Sequence, residues 1–109
     1  MQNRFTDSGV IALPDRLDAG NSADVRQLLH EAVDHSVGDV RIDVSQVDVI
    51  DAAGLGVLVG TRRRADQLGV AVVLVDVPPR LHRLLAVTRL SRLFTYESIV
   101  LEAHQTVTA

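Results

Sequence analysis

Cysteine and lysine are missing from this chain, and each absence closes off a line of chemistry. Without cysteine there is no disulfide, no thiolate nucleophile and no thiolate metal site. Without lysine there is no Walker phosphate loop, because that motif needs the lysine ammonium on the nucleotide phosphates. Aromatic residues are almost as scarce, with only Phe5, Phe94 and Tyr96. The core must therefore be built from Val, Leu, Ile and Ala, which suits a buried, partly parallel sheet covered by helices. All eleven basic residues are arginine, a bias of the kind that codon usage in a GC-rich genome produces. The formal net charge of −3 lacks the basic footprint of a nucleic-acid binder. No apolar run approaches membrane-spanning length and the N-terminus shows no signal-peptide pattern, so a soluble cytoplasmic chain is expected.

The 109 residues suffice for one domain over 1–109, burying about two-thirds of its unfolded surface without metal or disulfide support. Two short extended segments are expected near residues 4–6 and 10–13, with Asp7-Ser8-Gly9 as a hairpin turn between them. Residues 17–21 read as a loop feeding a helix that Asn21 or Ser22 can cap, with Asp24 favouring its positive end. Val25, Leu28, Leu29, Ala32 and Val33 then form one apolar helical stripe, and Gly38 marks a stop. Val40, Ile42 and Val44 alternate with polar residues as in a strand with one apolar face. A helix is expected over 54–68, burying Leu55, Leu58, Val59 and Ala65 and ending at Gly69. The aliphatic run 70–77 reads as a central strand, and Pro79 can open the next helix, made amphipathic by Leu81, Leu84 and Leu85. An edge strand at 94–96 and a short closing helix at 99–104 complete the order. The fold class is α/β, with a mixed four- to five-stranded sheet packed by about four helices.

The most informative stretch is Val49-Ile50-Asp51-Ala52-Ala53-Gly54-Leu55-Gly56-Val57-Leu58-Val59-Gly60. An apolar strand-like run arrives at Asp51 and a glycine-spaced helical pattern leaves from Gly54, a common place for α/β folds to put function. The two residues after Asp51 are alanines, with no hydroxyl, acid, base or thiol. A working surface here acts by recognition and not by chemistry on its own side chains. The Asp51 carboxylate can accept backbone N–H groups at the helix start, worth about 0.5–2 kcal/mol. The N–H groups of Ala53 and Gly54 are expected to face a partner beside it.

Other chemistry finds little support. Gly54-Leu55-Gly56 opens a dinucleotide fingerprint, but its last position is Val59 and the glycine arrives one residue late at Gly60. Gly56 and Gly60, four apart, instead suggest a helix lying close to its sheet. The histidines His30, His35, His82 and His104 share no metal-site spacing and read as solvated helix surface, and no G-x-S-x-G elbow occurs. Asp43, Asp48 and Asp51 are near one another in sequence, yet strand-end aspartates more often cap turns than hold magnesium. Arg62-Arg63-Arg64 reads as a solvated helix face diluted by nearby acids. No catalytic residue, metal ligand or cofactor is assigned.

Leu17-Asp18, the run Ile50-Asp51-Ala52-Ala53-Gly54-Leu55-Gly56, the strand at 70–77 and Pro79-Arg80-Leu81 together resemble the STAS family, the sulfate-transporter and anti-sigma-factor-antagonist domain. The likeness spans almost the whole chain. In bacterial anti-sigma factor antagonists the central run usually reads D-S-[ST/A]-G-[LIV]-G, and a partner that is both anti-sigma factor and serine kinase phosphorylates its first serine. Here Ala52 stands at that serine's position. The resemblance implies a non-catalytic binding protein for a GHKL-type anti-sigma factor, one that cannot be switched off by phosphate at this turn. The implied contact surface is Asp51, Ala52, Ala53, Gly54, Leu55 and Gly56, with Asp18 and Asn21 on the adjacent loop and Arg62 further along the helix. A bulky residue at Gly54 is expected to remove binding and leave the fold largely intact. Thr61, Thr88 and Ser91 are the alternative phosphosites, each reading more readily as a plain helix or turn residue. STAS domains also serve as accessory subunits on ABC-type transporter ATPases, and a ligand-sensing scaffold that takes a nucleotide at the turn is a further alternative.

Overall fold

Four parallel strands set the frame, and alternation in the sequence decides which face of each is buried. The computed structural model describes residues 9–99. Its sheet runs β1 (Val10–Ala12), β3 (Val40–Asp43), β5 (Val72–Val75) and β6 (Thr95–Glu97) in that spatial order, each neighbouring pair parallel. A second, two-stranded parallel sheet pairs β2 (Arg16–Leu17) with β4 (Val49–Ile50). The helices are α1 (Ser22–Asp34), α2 (Ala52–Leu68) and α3 (Pro79–Val87), followed by a 3-10 turn at Ser91–Leu93. The expected α/β class holds. Its mixed character does not appear among the described residues, where every pairing is parallel. That character rested on a hairpin partner at residues 4–6, and the closing helix was placed at 99–104; apart from Ile99, both expectations lie outside the described residues.

One contiguous core joins Ile11, Leu13, Val40, Ile42, Val44, Val72 and Leu74 from the main sheet to Val25, Leu29, Ala32 and Val33 of α1. The buried stripe of α2 is Gly54, Val57, Leu58, Thr61 and Ala65, so Leu55 and Val59 are only half-buried, contrary to expectation. The helix starts two residues earlier than its apolar pattern suggests, and the seating of Gly54 against Leu17 and Ile50 sets which of its faces is buried. Thr61 is fully buried because its hydroxyl donates to Val57 O at 2.8 Å, which satisfies the group inside the helix.

Local signals end α2 and open α3 as the sequence implies, whereas α1 stops at Asp34 with His35 as its C-cap, ahead of the expected stop at Gly38. Gly69 closes α2 in the left-handed region at φ 74°, with Val70 N–H donating back to Ala65 O at 3.0 Å. Pro79 is the first residue of α3, where its missing N–H costs nothing. At the far end of α3 the left-handed position is filled by Arg89, φ 62°, and Leu90 N–H donates to Leu85 O at 2.8 Å.

Side-chain forks tie distant elements together. Arg41 reaches across β5 to Glu97 in a bidentate pair at 3.0 and 3.2 Å. Arg64 of α2 grips Asp34 of α1 at 2.7 and 2.8 Å. The hydrogen-bonded guanidinium holds each of these carboxyls below its ordinary pKa. One helical turn before Asp34, His30 has its Nε2 buried and without a hydrogen-bond partner. Burial pushes the His30 pKa down, and the Arg64 and Arg26 charges push the same way while Asp34 opposes them. The folded imidazole thus resists a proton that the unfolded chain accepts near pH 6.5, so stability falls as the pH drops below that value. Thermal melts from about pH 7.5 down to about pH 5.5 are expected to show a falling Tm that His30→Gln flattens. Parallel curves for the two proteins would remove His30 as the cause.

Candidate functional site

The site forms where the small β2–β4 sheet delivers two loops to one place. Leu17 pairs with Ile50, so the residues that follow each strand, 18–21 and 51–56, emerge side by side. Asp51 caps α2 with extended backbone, φ −120° and ψ −171°, and its Oδ1 accepts from Gly54 N–H at 3.0 Å. Its other oxygen, Oδ2, accepts from Ala19 N–H at 3.1 Å. One carboxylate therefore serves as helix cap and as clamp on a loop 32 residues earlier in the chain. Losing both bonds through Asp51→Ala is expected to cost about 1–2 kcal/mol, read as a lower urea midpoint. A midpoint equal to wild type would show that the clamp contributes nothing.

The 18–21 loop is saturated from within. Asn21 Oδ1 accepts from Asp18 N–H at 3.0 Å and its amide donates to Arg16 O at 2.7 Å. Asn21 thus sits at the α1 N-cap position without using its side chain as a cap. Asp18 accepts from Gly20 N–H at 2.9 Å and from the Arg16 guanidinium at 2.6 and 3.0 Å. That arginine is the main reason the Asp18 carboxyl lies below the ordinary carboxylate range. Asp18 and Asn21 thereby shape the loop, and the exposed residues it presents are Ala19 and Gly20. Nothing local in the sequence marks those two; their place beside Asp51 depends on the β2–β4 pairing.

Asp51, Ala52 and Gly56 are exposed, Ala53 and Leu55 half-buried, and Gly54 is buried. Gly54 N–H is taken by Asp51, so the N–H groups left open at the helix start are those of Ala52 and Ala53. This corrects the expectation that Gly54 offers its N–H outward. A Cβ at Gly54 would overlap Leu17 O and come within 2.9 Å of Leu17 C and Ile50 Cγ1. Gly54 is therefore the glycine that brings α2 onto the β2–β4 sheet, while Gly56 and Gly60 have open space around them. Gly54 belongs to the packing beneath the surface, and a bulky residue there would damage the fold, contrary to expectation.

Arg62 does not join this surface. Eight residues beyond Gly54, about 12 Å along the helix, its Nε donates to Leu93 O at 2.9 Å and its Nη1 pairs with Asp66. With Arg64 held by Asp34, Arg63 is the member of that basic run with no pair among the described residues. Asp43 accepts from Ser45 N–H at 2.9 Å and Asp48 pairs with Arg80 at 3.2 Å, so the three neighbouring aspartates do not converge on one point. Among the described residues no group of three or more His, Cys, Asp or Glu side chains is placed to hold a metal ion. No described helix is long and apolar enough to cross a membrane.

The structure thus presents a capped, small-residue turn at a helix start on a parallel α/β scaffold. Residues 2–105 match the model of the STAS domain, and the chain belongs to the STAS domain family. Solved structures share the fold. A putative anti-sigma factor antagonist from Thermotoga maritima superposes with a TM-score of 0.74 at 22% identity, over 96% of this chain and 92% of that one. The Bacillus cell-fate determinant SpoIIAA in its phosphorylated form gives 0.65 at 19%, over 90% and 88%. A sulfate transporter family protein from Wolinella succinogenes gives 0.65 at 17%, over 99% and 100%. The chain is thus a STAS domain that resembles, in fold, both an anti-sigma factor antagonist and a sulfate transporter family protein.

Proposed function

We propose that this chain is a non-catalytic cytoplasmic regulator that binds a GHKL-type anti-sigma factor through the turn at Asp51, Ala52, Ala53, Leu55 and Gly56, with Ala19 and Gly20 beside it. The observation that carries the reading is Ala52, exposed at the first helical position directly after the Asp51 cap. The cap holds the turn in one geometry before any partner arrives, which reduces the ordering cost of binding. Alanine leaves close access to the open N–H groups of Ala52 and Ala53. At the position where related antagonists carry a regulatory serine, it offers no oxygen to phosphorylate. Thr61 is sealed in the core and cannot replace that serine. Binding is therefore constitutive with respect to phosphate at this turn.

The test is calorimetric titration of a purified GHKL-type anti-sigma factor with this protein, with and without ATP. Equal affinity in both arms supports the reading. Phosphate incorporation that releases the complex overturns constitutive binding, and no heat in either arm overturns the choice of partner. A second reading is an accessory subunit on an ABC-type transporter ATPase; a sulfate transporter family protein of the same fold is what brings transport into view. Co-elution of that ATPase with the tagged protein from its own lysate would favour it.

A further inference from the structure

The charge of this protein is unevenly placed. Between Asp76 and Glu97 the chain has no acidic residue, yet it holds Arg80, Arg83, Arg89 and Arg92 in a protein of net charge −3. Arg83, Arg89 and Arg92 make no side-chain hydrogen bond or ion pair among the described residues, and Arg80 has only the exposed contact to Asp48. Such an exposed pair contributes little and is readily exchanged for a better partner.

The helix α3 sorts these groups. Leu81 and Leu85 turn into the core. Arg80, Arg83, Leu84 and Val87 fall at i, i+3, i+4 and i+7, which places them along one outer stripe. Val87 keeps 71% of its surface exposed and Leu84 is half-buried. Alongside this stripe a groove of about 290 Å³ separates α3 from β4, floored by Ile50, Leu81 and Leu84. Val49, 47% exposed, stands on its lip, and the Asp48–Arg80 pair bridges its rim. Ile50 immediately precedes Asp51, so the groove runs directly into the proposed docking turn.

We infer that the β4–α3 groove receives an acidic protein segment, one that seats an aliphatic side chain on Ile50 and Leu84 while its carboxylates meet Arg80 and Arg83. This inference extends the surface proposed above and takes from it only the expectation that the partner is a protein. Charge complementarity selects the occupant. Arginine presents a planar fork that binds carboxylates two bonds at a time, and beside this groove Arg83 lacks a mate among the described residues while Arg80 holds only the exposed Asp48. A lipid surface is a poorer match, because α3 has already spent Leu81 and Leu85 on the core and leaves little apolar area to insert. Nucleic acid is disfavoured by the overall negative charge.

The test follows amide shifts of the isotope-labelled protein during titration with a blocked peptide Glu-Glu-Leu-Glu-Glu-Leu, with the lysine-for-glutamate peptide as control. Shifts confined to Val49, Ile50, Leu84 and Val87, weakened by salt and reduced about tenfold in affinity by Arg83→Glu, support the inference. No shifts, equal shifts with the lysine peptide, or an unchanged affinity in Arg83→Glu overturn it. Binding to phosphatidylglycerol vesicles in place of the peptide, or concentration-dependent self-association through this face, overturns it as well. Arg83 and Val87 are exposed, so Arg83→Glu and Val87→Glu should fold normally, which the undisturbed remainder of the spectrum checks. If the peptide binds and no GHKL-type protein does, the partner assignment fails and the groove stands. If that protein binds wild type and Arg83→Glu alike and the peptide is silent, the groove fails and the partner assignment stands.

Discussion

Gly54→Ala is expected to cost about 3 kcal/mol of stability, or about 12–24 °C in Tm for a domain of this size. The added methyl would press on Leu17 carbonyl atoms and on Ile50 Cγ1. Neither neighbour is a flexible side-chain tip: one is backbone of β2, the other sits on β4, and β2 and β4 pair with each other. Relief requires α2 to lift from the small sheet, and that movement also pulls Asp51 from Ala19. Gly54→Val should cost more still. The comparison that isolates the cause is Gly60→Ala in the same helix. A methyl there meets nothing within 4 Å, so only helix propensity changes, and a gain of about 0.5–1 kcal/mol is expected. Denaturant unfolding of both variants decides the matter. Equal stability of Gly54→Ala and wild type would mean that the close approach of α2 to Leu17 is not needed.

Ala52→Asp is expected to weaken the proposed anti-sigma factor complex about a hundredfold or more while leaving the fold as stable as before. The carboxylate would stand at the first position of α2, where the positive end of the helix dipole favours an anion by about 0.3–1 kcal/mol. Folding therefore gains slightly, and any loss of affinity belongs to the interface. Ala52→Ser separates size from charge. Its small hydroxyl should be tolerated near wild-type affinity until the partner transfers phosphate to it. The phosphoserine then adds about −1.5 to −2 charges at the contact, and ATP becomes a release signal. Paired titrations of wild type, Ala52→Ser and Ala52→Asp against the purified partner, with melts of each, test this. Wild-type affinity in Ala52→Asp would place the contact surface elsewhere.

Reading along the chain was most reliable where a residue acts on its near neighbours. Asp51 as cap, Gly69 as terminator, Pro79 as first helical residue, the alternation of Val40 and Ile42 and the aliphatic β5 are all present as the sequence implies. Capping, chain reversal and strand alternation depend on residues two to four apart, so the sequence contains both halves of each interaction.

The residues around the turn stand out in the sequence, but what each one touches does not. Gly54, Gly56 and Gly60 look alike in sequence, yet only Gly54 lies against Leu17, because the pairing of β2 with β4 puts that carbonyl there. Arg62 looks like an extension of the turn, and the structure spends it on Leu93 O and Asp66. Asp18 and Asn21 look like partner contacts, and they hold their own loop while Ala19 and Gly20 face outward. The sequence by itself determined the α/β class, the capped turn and the missing hydroxyl at Ala52. Tertiary structure alone decided the parallel pairing, the helix-to-sheet approach at Gly54 and the β4–α3 groove. Each of these joins residues far apart in the chain, and which of them meet is settled by the burial of the whole core, a quantity no local window of sequence contains.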